Sequence, residues 1–368
     1  MRVAVPKETR PGEKRVALVP DIISKLTKAG LEVTIESGAG VASEFSDAQF
    51  AAAGATVSSG NVINDADVVL SVQPLTPDAI SSLKKGAITI SFLSPTTAAD
   101  SIEAAVKAGV TAISLELVPR ISRAQSMDAL TSQALCAGYK AVLVGAELSP
   151  RFFPLLMTAA GTVTPANVVV LGAGVAGLQA IATAKRLGAV VSAYDVRPAS
   201  ADEVKSMGAK FITLELEALE GAGGYAREMT EDRAAKQREL LTPYIAAANV
   251  LITTAAVPGR PAPRLVTAEM VAAMAPGSVV VDLAAETGGN VEGTKPGEII
   301  TTANGVKMWG GKDVPSSLAF HASMLFSRNV VNLLLLMVKD GQVVPNFEDE
   351  IIDAATVTMN GENRKGAK

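Results

Sequence analysis

The stretch Val168-Val169-Val170-Leu171-Gly172-Ala173-Gly174-Val175-Ala176-Gly177 constrains this chain more than any other. An apolar strand run empties directly into G-x-G-x-x-G, and residues 178–187 after it contain neither Gly nor Pro. That combination predicts a helix packed on a sheet and stopped by Gly188. The three glycines have separable tasks: Gly172 permits the tight turn, Gly174 lets backbone approach a pyrophosphate, and Gly177 lets helix and strand pack closely. The N–H groups that open the helix, around Val175 and Ala176, suit an anion. A second strand over 189–194 delivers Asp195. It lies about 20 residues beyond the glycines, where a carboxylate can accept both ribose hydroxyls and repel a 2′-phosphate. The pattern predicts a dinucleotide site that favours NAD over NADP, with Val196 and Arg197 beside it and Ala255 at the end of a further strand, 250–255. Arg197 runs against that preference, since a guanidinium can accept a 2′-phosphate.

A length of 368 residues exceeds a typical single α/β domain, so two are expected. Hydrophobic residues at 48%, aromatics at only 4% and 31 glycines suit aliphatic parallel sheets between Ala-rich helices. The balance of 33 basic against 37 acidic residues, a net −4, offers nothing to nucleic acid. The single cysteine, Cys136, excludes an intrachain disulfide, and no cluster suggests a metal. The start lacks a signal-peptide core. The most apolar run, 330–338, contains Asn332 and is far short of the ~20 residues that cross a bilayer, so it reads as a buried helix.

Along the first half, strands are expected at 2–5, 31–36, 67–72, 87–93 and 110–117, and helices at 20–28, 47–53, 77–85 and 98–107. Such alternation predicts a doubly wound parallel sheet. This half lacks G-x-G-x-x-G: the glycines of Glu36-Ser37-Gly38-Ala39-Gly40 have neither the spacing nor the setting, and the charged run 7–15 reads as a solvated loop. A polar loop at 119–128 leads into a long helix over 128–148 with Asp128 as its N-cap. Beyond the glycine turn come strands at 211–214, 250–255 and 278–283, helices at 231–248 and 267–274, and a second long helix at 316–338. The fold class expected is α/β: two Rossmann-like, doubly wound parallel-sheet domains joined by two long helices, with a cleft between them for a cofactor. The boundaries read as 1–127 with 335–368, connecting helices 128–148 and 316–334, and a dinucleotide-binding domain over 149–315.

Several stretches are more specific. They are Pro6-Lys7-Glu8 with Arg10-Pro11-Gly12-Glu13 and Arg15-Val16-Ala17, the loop Arg120 to Asp128, Thr158-Ala159-Ala160-Gly161-Thr162, Gly223-Gly224-Tyr225-Ala226 and Asp282-Leu283-Ala284. Over nearly its whole length the chain resembles the NAD(H)-binding component, domain I, of the proton-translocating NAD(P) transhydrogenases. Alanine dehydrogenases share the architecture. The resemblance implies NAD(H) bound here, NADP(H) on a partner component, a membrane-spanning proton-channel component, a homodimer, and a cytoplasmic position peripheral to the inner membrane. It also implies that Arg120, Gln125 and Asp128 lie beside the nicotinamide, with Arg120 paired to Asp128, and that Thr131 keeps a hydroxyl where the family often has Ser. Gly221-Ala222-Gly223-Gly224-Tyr225 reads as a glycine-rich lid with Tyr225 at its tip.

Chemistry separates the two activities. A 2-oxo-acid dehydrogenase must bind a carboxylate and manage a proton, and typically supplies Lys, Arg and His. The resemblance to alanine dehydrogenase places its substrate Lys and His at Ser71 and Ser94, neither of which can carry the charge or the proton. The one histidine, His321, reads as structural or surface. Hydride exchange between two nicotinamides needs no acid or base, only two rings held face to face.

Overall fold

The computed structural model describes residues 1–216, 230–256 and 259–365, which fall into two units: 1–133 with 315–368, and 134–314. In the first, short aliphatic runs become strands because both of their faces are apolar and only the middle of a sheet covers both. Val68–Leu70 and Ile88–Ser91 are buried at every residue. Across the sheet the strands run Thr56–Ser58, Glu32–Glu36, Arg2–Val5, Val68–Leu70, Ile88–Ser91, Thr111–Ser114, then Thr356–Met359 and Glu362–Asn363. Numbered along the chain, the six parallel strands stand in the order 3-2-1-4-5-6, so the winding reverses between Arg2–Val5 and Val68–Leu70. The last two strands are antiparallel additions, Thr356–Met359 joining Thr111–Ser114 across a bulge.

The second unit repeats the plan. Its order is Lys210–Phe211, Val190–Tyr194, Asn167–Leu171, Val250–Thr253, Val279–Asp282, Lys307–Gly310 and the antiparallel Ile299–Thr301. Setting that last strand aside, the order is again 3-2-1-4-5-6, and the winding reverses between Asn167–Leu171 and Val250–Thr253. A separate hairpin, Leu156–Thr158 with Gly161–Val163, turns through the Thr158-to-Thr162 segment and leaves Met157 80% exposed.

Of the two helices expected to connect the domains, one does. Ala129–Leu148 starts in the first unit and continues into the second, the division falling between Gln133 and Ala134. Its second half carries two glycines one heptad apart. A Cβ on Gly138 would stand 2.1 Å from the Ala176 carbonyl, and one on Gly145 would stand 2.9 Å from Val250. The expected connector at 316–334 instead lies in the first unit, as the end of a 3₁₀ turn, Val314–Leu318, whose first residue closes the second unit, and the helix Ala319–Leu336. This segment is long and apolar enough to span a membrane by length and composition alone, yet Phe326, Val330, Val331, Leu333 and Leu334 are fully buried in the unit's core. Ser323 and Ser327 accept the Val16 and Val19 N–H groups at 3.0 and 3.1 Å, which fixes the segment that follows the charged run.

The charged run itself corrects the expectation of a solvated loop. Lys7, Arg10 and Lys14 are exposed, but Glu13 and Arg15 are buried. Their side chains pair bidentately, Arg15 Nε to Oε1 at 2.7 Å and Nη2 to Oε2 at 2.6 Å. A buried ion pair persists only when its remaining hydrogen-bonding groups are met. Gln73 and Ser316 both donate to Glu13 at 2.7 Å, and Arg15 donates to Gln133 at 2.9 Å.

Candidate functional site

At the second unit's point of reversal, each glycine shows its reason in the backbone. Gly172 has φ +98°, a conformation that L side chains avoid, and a Cβ there would stand 2.6 Å from Thr254 Oγ1. A Cβ on Gly177 would stand 1.9 Å from the Gly172 carbonyl oxygen, so the helix Val175–Arg186 can pack on its strand only without a side chain. Above Gly174 nothing lies within 4 Å. No side chain caps that helix, which leaves its first N–H groups open to an anion at Val175 and Ala176. The space, the donors and the absence of a Cβ together fit a pyrophosphate.

The other wall of the crevice is Thr254-Ala255. Thr254 N–H donates to the Leu171 carbonyl at 2.9 Å, and its hydroxyl donates to the Gly172 carbonyl at 3.0 Å. Ala255 is held from both sides by a residue that sequence reasoning missed, Asn290, which is fully buried. Asn290 Oδ1 accepts the Ala255 N–H at 3.0 Å, while Nδ2 donates to the Ala255 and Pro263 carbonyls at 2.8 and 2.9 Å. Asp282, also fully buried, accepts from Thr253, Ala284, Val291 and Thr294 at 2.8–3.1 Å and so pins the next strand end. Asp282 had a sequence signal in the Asp282-Leu283-Ala284 stretch, whereas Asn290 had only its place inside a Gly-rich turn.

Asp195 stands where the spacing put it, with Val196 half-buried beside it. Its carboxylate accepts the Ala173 N–H at 2.8 Å and is bridged by the Arg197 guanidinium, Nε to Oδ1 and Nη2 to Oδ2, both 2.9 Å. Burial pushes this carboxyl up, but the Arg197 and Ala173 hydrogen bonds outweigh it and hold it below the usual range. Behind it, Tyr194 donates to Gln237 at 2.9 Å, and burial raises the phenol to about 12.

The Arg120 loop belongs to the first unit. Residues Ser122–Met127 form a 3₁₀ helix with Ala124 and Met127 buried. The Ser126 carbonyl accepts from Asn329 and Asn332 at 3.0 and 3.1 Å, and Arg123 pairs bidentately with Asp349. Arg120 and Gln125 are exposed. Asp128 caps the helix that follows: each of its oxygens accepts from Thr131, whose N–H and hydroxyl donate at 2.8 and 2.7 Å. A short carboxylate at the start of a long helix meets the orphan N–H groups there and satisfies one of them. The lid residues Gly224 and Tyr225 lie outside the described residues.

At the first unit's point of reversal, polar side chains fill the crevice. Glu8 reaches across it to accept the Val72 and Gln73 N–H groups at 2.5 and 3.3 Å. Burial raises its carboxyl to about 7, whereas Glu13 is brought down to about 2, because the Arg15 hydrogen bonds and charge outweigh its burial. Ser71 donates to the Gln73 carbonyl at 2.7 Å, so Gln73, not Ser71, joins the Glu13 cluster. Ser94 sits at φ +49° with its N–H on Glu116 at 2.8 Å. His321 is exposed, edge-on to Phe320 at 5.1 Å. Among the described residues no group of three His, Cys, Asp or Glu could hold a metal.

The two sheets and the glycine turn define a two-domain protein of the Rossmann-like, dinucleotide-binding class. The alanine dehydrogenase/PNT family models match it end to end, the N-terminal domain over residues 4–137 and the C-terminal domain over 141–365, and the chain belongs to that family. It is 49% identical over 373 aligned positions, 98% of this chain and 97% of the other, to an NAD(P) transhydrogenase alpha-subunit polypeptide of Rhodospirillum rubrum. A crystal structure of transhydrogenase from Sinorhizobium meliloti matches with a TM-score of 0.88 at 43% identity, covering 99% of both chains. Alanine dehydrogenase of Mycobacterium tuberculosis is a more distant relative, 35% identical over 80% of this chain and 76% of its own.

Proposed function

We propose that this chain is the NAD(H)-binding component of a proton-translocating NAD(P) transhydrogenase. It holds NADH against NADP⁺ carried by a partner component, while a membrane-spanning component conducts protons. The reading rests on the turn at residues 172–177, whose open space over Gly174 adjoins an uncapped helix start. Bound NADH would supply the hydride, two electrons and one proton moving together. The chain's own task is then to bind and orient. Gly174, Val175 and Ala176 take the pyrophosphate, on a helix that Gly177 lets pack against the turn; Asp195, flanked by Val196 and Arg197, takes the adenosine ribose; Ala255, fixed by Asn290, forms the crevice wall. In the first unit Arg120 and Gln125 offer exposed donors for the nicotinamide, on a loop made rigid by Asp128, Thr131, Asn329 and Asn332. The resemblance adds Gly224 and Tyr225 as nucleotide contacts.

Alanine dehydrogenation is the second reading, and it fails on chemistry. Ser71 and Ser94 are engaged locally and carry no charge, and His321 faces solvent beside Phe320. A homodimer is supported by the apolar surface at Phe152, Leu155 and Met157, which are 61%, 54% and 80% exposed. The complex places the chain on the cytoplasmic face of the membrane through its partners.

The deciding experiment mixes the purified chain with an NADP(H)-binding transhydrogenase component and follows single-turnover hydride exchange. Exchange is expected, and NADH oxidation with pyruvate and ammonia is not. Gln125→Asn keeps the amide but shortens its reach, and a misplacement of ~1 Å should slow exchange by about 10²-fold with little change in NADH affinity. Robust alanine formation, or an unchanged rate in Gln125→Asn, overturns the reading.

A further inference from the structure

Asp195 has no acceptor site left. Oδ2 accepts the Ala173 N–H and Arg197 Nη2 at 2.8 and 2.9 Å, and Oδ1 accepts the Arg197 main-chain N–H and Nε, both at 2.9 Å. A carboxylate offers about four lone-pair sites, so four donors fill it. Only 7% of the Asp195 side chain is exposed. Two of those donors are fixed main chain. The other two are adjacent prongs of one guanidinium on a flexible stem, itself 23% exposed. A ribose diol likewise presents two donors on adjacent atoms, and it needs one acceptor on each carboxylate oxygen. Guanidinium and diol therefore compete for the same two positions.

We infer that Arg197 is a built-in placeholder for the nucleotide ribose: NADH binds by displacing the guanidinium from Asp195, and Arg197 thereby sets which nucleotide is admitted. The inference rests on the nucleotide reading of the Gly172 turn. NADH can make the exchange, because its diol returns one donor to each oxygen. NADPH cannot, because its 2′-phosphate removes one donor and brings negative charge toward the carboxylate. If Asp195 loses its charge, its hold on the guanidinium weakens and Arg197 becomes a ligand for that same phosphate.

The test uses the full chain with NADH and NADPH as probes. The Arg197 Nε–H resonance, identified by its loss in Arg197→Met, should shift on saturation with NADH and stay in place with NADPH at the same concentration. Arg197→Met should bind NADH about tenfold tighter, since a charged hydrogen-bonded pair no longer has to open. Arg197→Lys, which keeps the charge and loses the fork, should fall between the two. Asp195→Asn should bring NADPH to within about tenfold of NADH, and adding Arg197→Met should abolish that gain. An Arg197 resonance unmoved in the NADH-saturated protein, or variants that bind NADH no more tightly than the wild type, overturns this inference alone. Failure of the wild-type chain to bind NADH overturns the Gly172 reading and this inference with it.

Discussion

The two units share one winding and use its point of reversal in opposite ways. In each, the first strand in sequence lies beside the fourth, and the strand ends there leave a crevice, the place where open α/β sheets bind ligands. The second unit keeps its crevice open with glycine: nothing stands over Gly174, and the wall at Ala255 is tied back by Asn290. The first unit closes its own with Glu8 across the strand ends and the Glu13–Arg15–Gln73 cluster behind it. A shared topology offers a site; the side chains at the strand ends decide whether it is used.

The largest break in that comparison should come from the closed crevice. Glu13→Ala leaves Arg15 buried with Gln133 as its remaining side-chain partner among those described, and removing one member of a buried pair typically costs 3–5 kcal/mol. Denaturant unfolding of the whole chain reads this. A loss below ~1 kcal/mol would mean that the cluster is solvated and the crevice is open after all.

Next comes the close approach in the open crevice. Gly177→Ala forces a methyl to 1.9 Å from the Gly172 carbonyl, where backbone must move, and a loss of about 3 kcal/mol is expected, at the upper end for overpacking. NADH affinity should fall with it, since the same shift displaces the turn. Wild-type stability would show that helix and strand are not in contact through Gly177.

Legibility in the sequence followed the same division. The glycine turn was readable because each of its residues answers a local demand, of φ, of space or of packing, that few other residues meet. So were the β/α alternation and the Asp128 cap, which rest on short-range periodicity and capping. Glu13 and Arg15 were misread as solvent-facing because their partners, Gln73, Gln133 and Ser316, lie 60 to 303 positions away. Asn290 was missed for a related reason, being 35 positions from the backbone it holds. The small antiparallel strands at residues 299–301, 356–359 and 362–363 went unseen because strands of two to four residues carry almost no periodicity.

The crevices should also differ with pH. Glu8 has a folded pKa raised from 4.5 to about 7, so from pH 4.5 to 7 the folded chain binds a proton that the unfolded chain has released. Its contribution is fully present below about 4.5 and is lost as pH rises through about 7. The loss should be on the order of 2 kcal/mol, less than the full shift because the carboxyl keeps some contact with water. Glu13 has the opposite sign: its stabilisation is present above 4.5 and is lost as pH falls through about 2. Glu8→Gln should flatten the stability profile between pH 5 and 8 and leave the acid limb intact. Profiles that run parallel for variant and wild type would remove Glu8 from the closed crevice.

The smallest effect on folding should come from the residue most exposed to the proposed ligand. Gly174 has φ −77°, an ordinary value for any L residue, and an added Cβ meets nothing within 4 Å. Gly174→Ala should therefore leave the unfolding midpoint unchanged to within ~0.5 kcal/mol, as for other substitutions that touch no packed neighbour. The methyl would nonetheless stand in the space that a pyrophosphate needs to reach the helix N–H groups, so NADH affinity should fall by at least about tenfold. Paired with Gly177→Ala, it separates two jobs within one turn: Gly177 serves the fold and only indirectly the ligand, and Gly174 serves the ligand alone. Calorimetric unfolding and NADH fluorescence titration on the same preparation give both numbers. A Gly174→Ala chain that folds and binds NADH like the wild type would move the pyrophosphate away from this turn, and the contrast between the open and closed crevices would lose its functional meaning.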